Sequence, residues 1–199
     1  MTEEEALAWT NERFDAAVIE RLRAFAAMVV EENGHQNLVS PASIPAIWSR
    51  HVVDSLQLLP LAPAGGAWID IGTGGGFPGM VVAIARAAPT LLVEPRRKRA
   101  AFLERCAAAL DLPHVRVEGT KVERVEASAA VISARAVASI ENLLRAAMHC
   151  ATPATRWLLP RGLIDHAELS TAAAAHRMVF HVEQSLTHAG SSIVVLEAR

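Results

Sequence analysis

The sequence predicts an α/β fold of Rossmann-like architecture: a mostly parallel sheet with helices on both faces, closed by an antiparallel C-terminal strand pair and preceded by a helical N-terminal extension. Three observations predict it. From Ala67 onward, short apolar runs alternate with helical segments, the pattern of strands joined by crossover helices. The first of these runs ends in a glycine-rich turn, Gly72-Thr73-Gly74-Gly75-Gly76. The last two runs, residues 179–182 and 193–196, alternate in polarity and read as the antiparallel pair. With 199 residues the chain can bury one sizeable core but not two enzyme domains. Residues 1–199 are therefore read as a single domain, with 1–60 as the helical extension and 67–199 as the α/β core.

The elements follow in order. Leu7, Phe14, Val18, Leu22, Phe25 and Val29 recur between charged residues, which predicts one amphipathic helix ending at Asn33-Gly34. A polar link, residues 35–40, leads to a second helix capped by Ser43, with Pro45 in its first turn, running through Trp48, Val52 and Leu56 to about Leu59. Pro60, Pro63 and Gly65-Gly66 form the linker. The core then reads as strand 67–71, helix 80–88, strand 91–94, helix 100–110, strand 115–118 and strand 129–133. Helix 140–150, strand 156–159, helix 165–175 and the antiparallel pair complete it.

Composition narrows the class. Hydrophobic residues make up 52% and charged residues 20%, an ordinary globular balance. No apolar run approaches the ~20 residues of a membrane span, and the start is acidic at Glu3, Glu4 and Glu5, the reverse of a secretory signal. Cys106 and Cys150 lie far apart, so neither a disulfide framework nor a zinc site is expected. The expectation is a cytoplasmic protein without membrane or metal, for which a monomer suffices. The net charge of −2 hides a segregation: nine acids and four bases through Pro60, against thirteen bases and seven acids from Arg86 to Arg161. Such a basic centre can bind a polyanion locally; it can also be a plain solvated surface.

The most informative segment is Asp70-Ile71-Gly72-Thr73-Gly74-Gly75-Gly76-Phe77-Pro78-Gly79. Glycines between a strand and its helix let a ligand approach the main chain. A dinucleotide fingerprint would carry its third glycine at position 77, where this chain has Phe77. A pyrophosphate wants bare amides at a helix N-terminus, and an acid at the strand end would repel it. S-adenosylmethionine (SAM) instead brings a methionine ammonium and a cationic sulfonium, which Asp70 could help orient through water. Glu94 ends the second strand, where a carboxylate can accept hydrogen bonds from both ribose hydroxyls. The ordered set of Asp70, Gly72, Thr73, Gly74, Gly76 and Glu94 predicts a SAM site in a class I methyltransferase sheet and ranks a nicotinamide cofactor last.

These residues, with others, resemble the small-subunit (16S) ribosomal RNA methyltransferase G family, also called glucose-inhibited division protein B. Asn37-Leu38, Arg50-His51-x-x-Asp54-Ser55-Leu56, Lys98-Arg99-x-x-Phe102-Leu103, Ser133-Ala134-Arg135-Ala136 and Ala138-Ser139 are similar to family segments, and residues 70–79 are the most specific match. The resemblance spans about residues 37–162. It implies SAM-dependent methylation of a guanine N7 in the decoding-region hairpin of 16S ribosomal RNA, with the free RNA or the small ribosomal subunit as partner. It also implies SAM contacts at Gly72, Phe77, Val122, Glu123 and Arg135. The chain departs from the family at Lys121, Pro95 and Arg161, where Arg, Ser and Lys are usual, and Lys and Arg present different donor geometry to a phosphate.

Chemistry argues the same way. Exocyclic amines are usually held by an Asn/Asp-Pro-Pro-aromatic turn after the fourth strand, and this chain has Ser133-Ala134-Arg135-Ala136 there. Carbon methylation needs a nucleophilic Cys, and Cys106 and Cys150 read as small buried residues. Guanine N7 has an outward lone pair and no proton to lose, so orientation can suffice.

Arg135, at the carboxyl end of a central strand, is the candidate catalytic residue. Its guanidinium could engage the methionine carboxylate or guanine O6; the alternative is a structural ion pair. Arg96, Arg97, Lys98 and Arg99 oppose the macrodipole of the helix they open, which suggests RNA phosphates rather than helix stability, with Lys121 and Arg161 as further RNA candidates. A solubilising surface is the other reading of that cluster. His51 and Asp54 could lean over the pocket or brace helix against sheet, and Trp9, Trp48 and Trp157 read as core anchors. A methyltransferase acting on a small molecule or protein, and a non-catalytic RNA-binding assembly factor, are the competing functions.

Overall fold

A computed structural model describes residues 1–135 and 138–199. Its centre is a seven-stranded sheet in the order β3-β2-β1-β4-β5-β7-β6. The strands are β1 (Trp68–Ile71), β2 (Thr90–Val93), β3 (Val115–Glu118), β4 (Ala129–Ser133), β5 (Ala151–Arg161), β6 (Met178–Gln184) and β7 (Ser192–Ala198). Strands β1 to β5 are parallel, and β7 runs antiparallel between β5 and β6. The order reverses beside β1: the chain steps outward to β2 and β3, then returns to place β4 on the other side. Ligands of open α/β sheets gather outside the carboxyl ends of the strands at such a reversal.

All four residues of β1 and of β2 are buried, as expected for central strands covered on both faces. The pleat still sorts them. Ile69 and Ile71 join Trp157, Leu159, Val194 and Leu196 under α6 (Ile140–Ala147) and α7 (His166–Ala175). Trp68 packs on the opposite face with Val131, Leu158 and Val195. That opposite face is completed by α4 (Gly79–Ala85), α5 (Arg97–Ala109) and the N-terminal helices α1 (Glu3–Arg13) and α2 (Ala16–Glu32). The N-terminal segment therefore shares the core of the sheet: Phe25, Val29 and Leu56 are wholly buried against it. Among the described residues no helix is long and apolar enough to cross a membrane.

Two local expectations are corrected. The predicted single first helix is two. Phe14 is extended, and the Asp15 carboxylate accepts from the Val18 amide at 2.9 Å, capping α2. An aspartate that can bond forward to the backbone favours a break over helix continuation, and the apolar periodicity runs through the break because both halves face one core. The predicted second helix, too, is irregular. A 3-10 turn (Pro41–Ala46) leads to a π-helical turn (Trp48–Val53) that runs into a short α3 (Asp54–Leu56). Ser43 does not cap it. The amides of Trp48 and Ser49 are instead accepted by the Glu3 carboxylate at 2.7 and 2.9 Å. An acid from α1 supplies that cap, which no local pattern signals.

The glycine loop joins β1 to α4. Gly72, Gly74 and Gly76 have φ of 66°, 60° and 96°, a region that only glycine occupies without strain. Gly79 serves a different need. A Cβ there would lie 2.5 Å from Leu92 Cδ2 and 2.6 Å from Asp70 Cβ, so it lets α4 lie directly on β1 and β2. Gly79→Ala is expected to cost about 1–3 kcal/mol through overpacking. Thermal unfolding would show Tm lower by about 2–4 °C per kcal/mol; an unchanged Tm would mean that the helix shifts freely.

Candidate functional site

Asp70 is wholly buried beneath the loop. Its Oδ1 accepts from Ser133 Oγ at 2.5 Å, and its Oδ2 from Thr73 Oγ1 at 2.8 Å and the Gly79 amide at 3.0 Å. Burial pushes its pKa up to about 6, against the pull of these donors and of Arg135. This corrects the expectation that Asp70 orients the cofactor through water. Wholly buried and off the cavity wall described below, it ties β1, β4, the loop and the start of α4 together.

The amides of Gly72, Thr73, Gly74, Gly76 and Phe77 are spent as well. Gly72 and Thr73 donate to the Val93 carbonyl at 2.8 and 3.2 Å, and Gly76 and Phe77 to the Thr73 carbonyl at 2.9 and 3.2 Å. The Gly74 amide donates to Glu94 Oε2 at 2.9 Å. A pyrophosphate would need these donors free, so the loop suits a ligand that reads shape and carboxylates instead.

A cavity of about 470 Å³ opens beside the loop at the carboxyl ends of β1 and β2. Of the expected cofactor residues, Gly72, Glu94, Val122 and Glu123 line it. Asp70, Thr73, Gly74, Gly76 and Phe77 do not; they shape the loop from behind. Phe77 is buried, its ring 5.3 Å from Phe25 and 4.9 Å from His51 between centroids. Glu94 is 3% exposed and accepts from the Arg96 amide at 2.8 Å through Oε1. Sequence reasoning missed the far wall: Ala138, Asn142, Leu143 and Ala146. The spacing of 142 and 146, one turn apart on α6, is the signal that could have found its helical part.

The basic residues divide. Arg96, Arg97, Lys98 and Arg99 line one outward surface with Gln36 and Asn37, and Arg96 and Arg99 also stand with Lys121 on the wall of this same cavity. Arg99 Nη2 donates to the Asn37 carbonyl at 2.6 Å. Arg161 stands apart from these five, on other cavities.

Arg135 is also relocated. It lines a second cavity of about 510 Å³, at the carboxyl ends of β4 and β5, and not the first. Its Nη1 pairs with Asp54 Oδ2 at 3.1 Å and donates to the Arg50 carbonyl at 3.2 Å; its Nη2 meets His51 Nδ1 at 2.9 Å. The guanidinium also lies over the Phe77 ring at 5.5 Å. An arginine only donates, so His51 Nδ1 accepts and Nε2 carries the proton, donating to Ser43 Oγ at 2.8 Å. Burial, then Arg135 and Arg50, hold the His51 pKa down to about 3. The ion-pair alternative for Arg135 and the bracing alternative for His51 are what the geometry realises, on the wall of a cavity. Ala136, also part of the motif around Arg135, lies outside the described residues.

A family model for rRNA small subunit methyltransferase G matches residues 18–194. The chain belongs to this family. A ribosomal RNA small subunit methyltransferase G from Erythrobacter litoralis is 45% identical over 201 residues, covering 100% of this chain and 97% of that protein. Among solved structures, ribosomal protein L11 methylase from Lactobacillus delbrueckii subsp. bulgaricus matches with a TM-score of 0.62 at 13% identity, over 74% of this chain and 77% of that one. A TehB-like SAM-dependent methyltransferase from Corynebacterium glutamicum matches with a TM-score of 0.60 at 12% identity, over 89% and 97%. The fold of this methyltransferase G family member is thus the class I SAM-dependent sheet expected from the sequence. Its first cavity fits SAM: it has a buried carboxylate at Glu94, apolar walls at Val122, Leu143 and Ala146, and a glycine loop in which the amides of Gly72, Thr73, Gly74, Gly76 and Phe77 are already bonded.

Proposed function

We infer that the protein transfers a methyl group from SAM to N7 of a guanine in 16S ribosomal RNA. Membership of the methyltransferase G family, joined to the buried Glu94 on the wall of the first cavity, is the observation that carries this reading. SAM supplies an electrophilic methyl group on its sulfonium. Glu94 would accept hydrogen bonds from the ribose, Gly72 would let the ligand lie against the loop, and Val122 and Glu123 would complete the wall around it.

The acceptor chemistry agrees. Cys106 and Cys150 are buried, and burial pushes the Cys106 thiol up to about 12, so neither offers a thiolate. His51 and Asp54 are bound up with Ser43, Arg135, Gln57 and Thr187. Alignment without a proton abstraction is what such walls provide, and N7 asks for no more. Arg135 acts as a positioning residue, fixing the N-terminal segment against the end of β4.

The test is transfer of tritiated methyl from SAM to small ribosomal subunits, and in parallel to free 16S RNA, from cells lacking the modification. Label in 7-methylguanosine after digestion is the expected result. Label in another nucleoside would overturn the N7 assignment, and SAM binding without RNA labelling would favour a small-molecule or protein acceptor.

A further inference from the structure

Helix α1 opens with three consecutive glutamates, Glu3, Glu4 and Glu5, none of which lines either cavity. Acids favour the first turn of a helix, where the free amides and the macrodipole are positive, and that would explain all three alike. The structure separates them. Glu5 closes a capping box: it accepts from the Thr2 amide at 2.7 Å, while Thr2 Oγ1 accepts from the Glu5 amide at 3.1 Å. Glu4 is exposed. Glu3 is half-buried and turns away from its own helix, accepting from the amides of Trp48 and Ser49 at 2.7 and 2.9 Å, one on each carboxylate oxygen.

Those two amides begin the π-helical turn Trp48–Val53. The first amides of a helical turn lack partners within it, and Ile47, the residue that precedes this one, has no side chain that could accept. Turns of this kind are rare and gather at functional sites. This one supplies the acceptors that Arg135 meets among the described residues: the Arg50 carbonyl at 3.2 Å, His51 Nδ1 at 2.9 Å and, one residue past its end, Asp54 Oδ2 at 3.1 Å. The guanidinium in turn lies over the Phe77 ring of the glycine loop, 5.5 Å from its centroid. The direction of Arg135 is thus set by a turn whose start is set by one carboxylate from α1. That helix is itself seated, with Ala6 and Thr10 wholly buried, so Glu3 works from a fixed base.

We propose that Glu3 is a positioning residue for methyl transfer, acting on Arg135 through the turn Trp48–Val53. This rests on the methyltransferase reading above. Without the Glu3 carboxylate, two adjacent amides must find water or draw the turn into another register, and either moves the acceptors at 50, 51 and 54 together. Arg135 then shifts with them at the carboxyl end of β4, where ligands of such sheets bind. A displacement of about 1 Å in a group that sets reacting geometry can cost about 100-fold in rate. The first cavity, which fits SAM, is lined by neither Glu3, the turn nor Arg135, so cofactor affinity is separable from this effect.

The test compares wild type with Glu3→Gln, Glu4→Gln, Arg135→Ala and the double variant Glu3→Gln/Arg135→Ala. Initial rates of tritiated methyl transfer to small ribosomal subunits give kcat and KM. Calorimetric titration gives SAM affinity and the fraction of sites that bind, and deuterium exchange reads the amides of residues 48–54. Glu3→Gln keeps one acceptor oxygen but sets an amide N–H against the second backbone donor. It should lower kcat about 10-fold, leave SAM affinity within about twofold at full stoichiometry, and speed exchange at Trp48 and Ser49. Glu4→Gln, the same charge change one residue on, should match wild type in all three. Because Glu3 acts through Arg135, the double variant should be no slower than Arg135→Ala alone, a non-additivity that independent residues do not show. A wild-type kcat in Glu3→Gln or in Arg135→Ala would overturn the proposal. So would a further loss of about 10-fold in the double variant, or a loss of SAM-binding sites in proportion to the loss of rate, each the mark of a general structural role. If wild type itself labels no RNA, the methyltransferase reading fails and the positioning role with it. An active wild type beside an equally active Glu3→Gln removes the positioning role alone.

Discussion

Glu94→Ala is expected to lower SAM affinity at least about 100-fold while leaving the protein folded. Glu94 stands where the end of β2 meets the glycine loop, and its two oxygens are held by the amides of Gly74 and Arg96 at 2.9 and 2.8 Å. These bonds orient the carboxylate toward the cavity and fix the loop facing it. Alanine removes the ribose acceptor and frees the Gly74 amide together. Hydrogen bonds to a charged group contribute about 1.5–3 kcal/mol each, so the loss of two acceptor contacts reaches that factor. The Glu94 site opens on a cavity, so water can take the freed amides and global stability should change little. Glu94→Gln keeps one acceptor oxygen but sets an amide against a backbone N–H, and should also bind poorly. Calorimetric titration with SAM checks this; binding within about tenfold of wild type in Glu94→Ala would remove Glu94 from the cofactor site.

The second large effect is on stability as a function of pH, where two buried groups oppose each other. Asp70 has a folded pKa of about 6 against an ordinary 3.8. Its ionisation is harder in the folded state, so its contribution is full below about pH 4 and is lost as pH rises through 6. His51 has a folded pKa of about 3 against an ordinary 6.5. The unfolded chain takes up a proton on this ring that the folded ring refuses, so its contribution is full above 6.5 and is lost as pH falls toward 3. Between about pH 4 and 6 the two slopes have opposite signs, each up to about 1.4 kcal/mol per pH unit. In the wild type they largely cancel. Asp70→Asn should unmask a stability that rises with pH across this window, and His51→Gln one that falls, each by roughly 2–3 kcal/mol over two pH units. Urea unfolding at pH 4, 5 and 6 reads the difference. Parallel pH profiles in wild type and both variants would show that neither group carries a shifted pKa.

The two residues are buried for different reasons. Asp70 is buried because β1 is central and α4 lies directly on it at Gly79. His51 is buried because the N-terminal segment folds over the ends of β4 and β5. The first cause is legible in the sequence: residues 67–79 form a strand, a turn and a helix start within a dozen positions, and glycine, acid and apolar residues stand where each is needed. Strands 115–118 and 129–133 were legible to the residue for the same reason. The second cause is not, because His51 meets Arg135 84 positions away.

Sequence by itself therefore determined the layered α/β architecture, the glycine loop, the acid at the end of β2 and the family. Each rests on backbone preference, burial period or motif spacing, and such signals act over a few residues of chain. Tertiary structure alone decided that Asp70 braces the loop from below, that Arg135 pairs with Asp54 beside a second cavity, and that Glu3 caps the turn at Trp48. It alone left two nitrogens of Arg161 without acceptors. Which charges are paired and which are buried depends on the groups that the strand order and the folded-over N-terminal segment bring within about 3 Å, and desolvation then sets their pKa values.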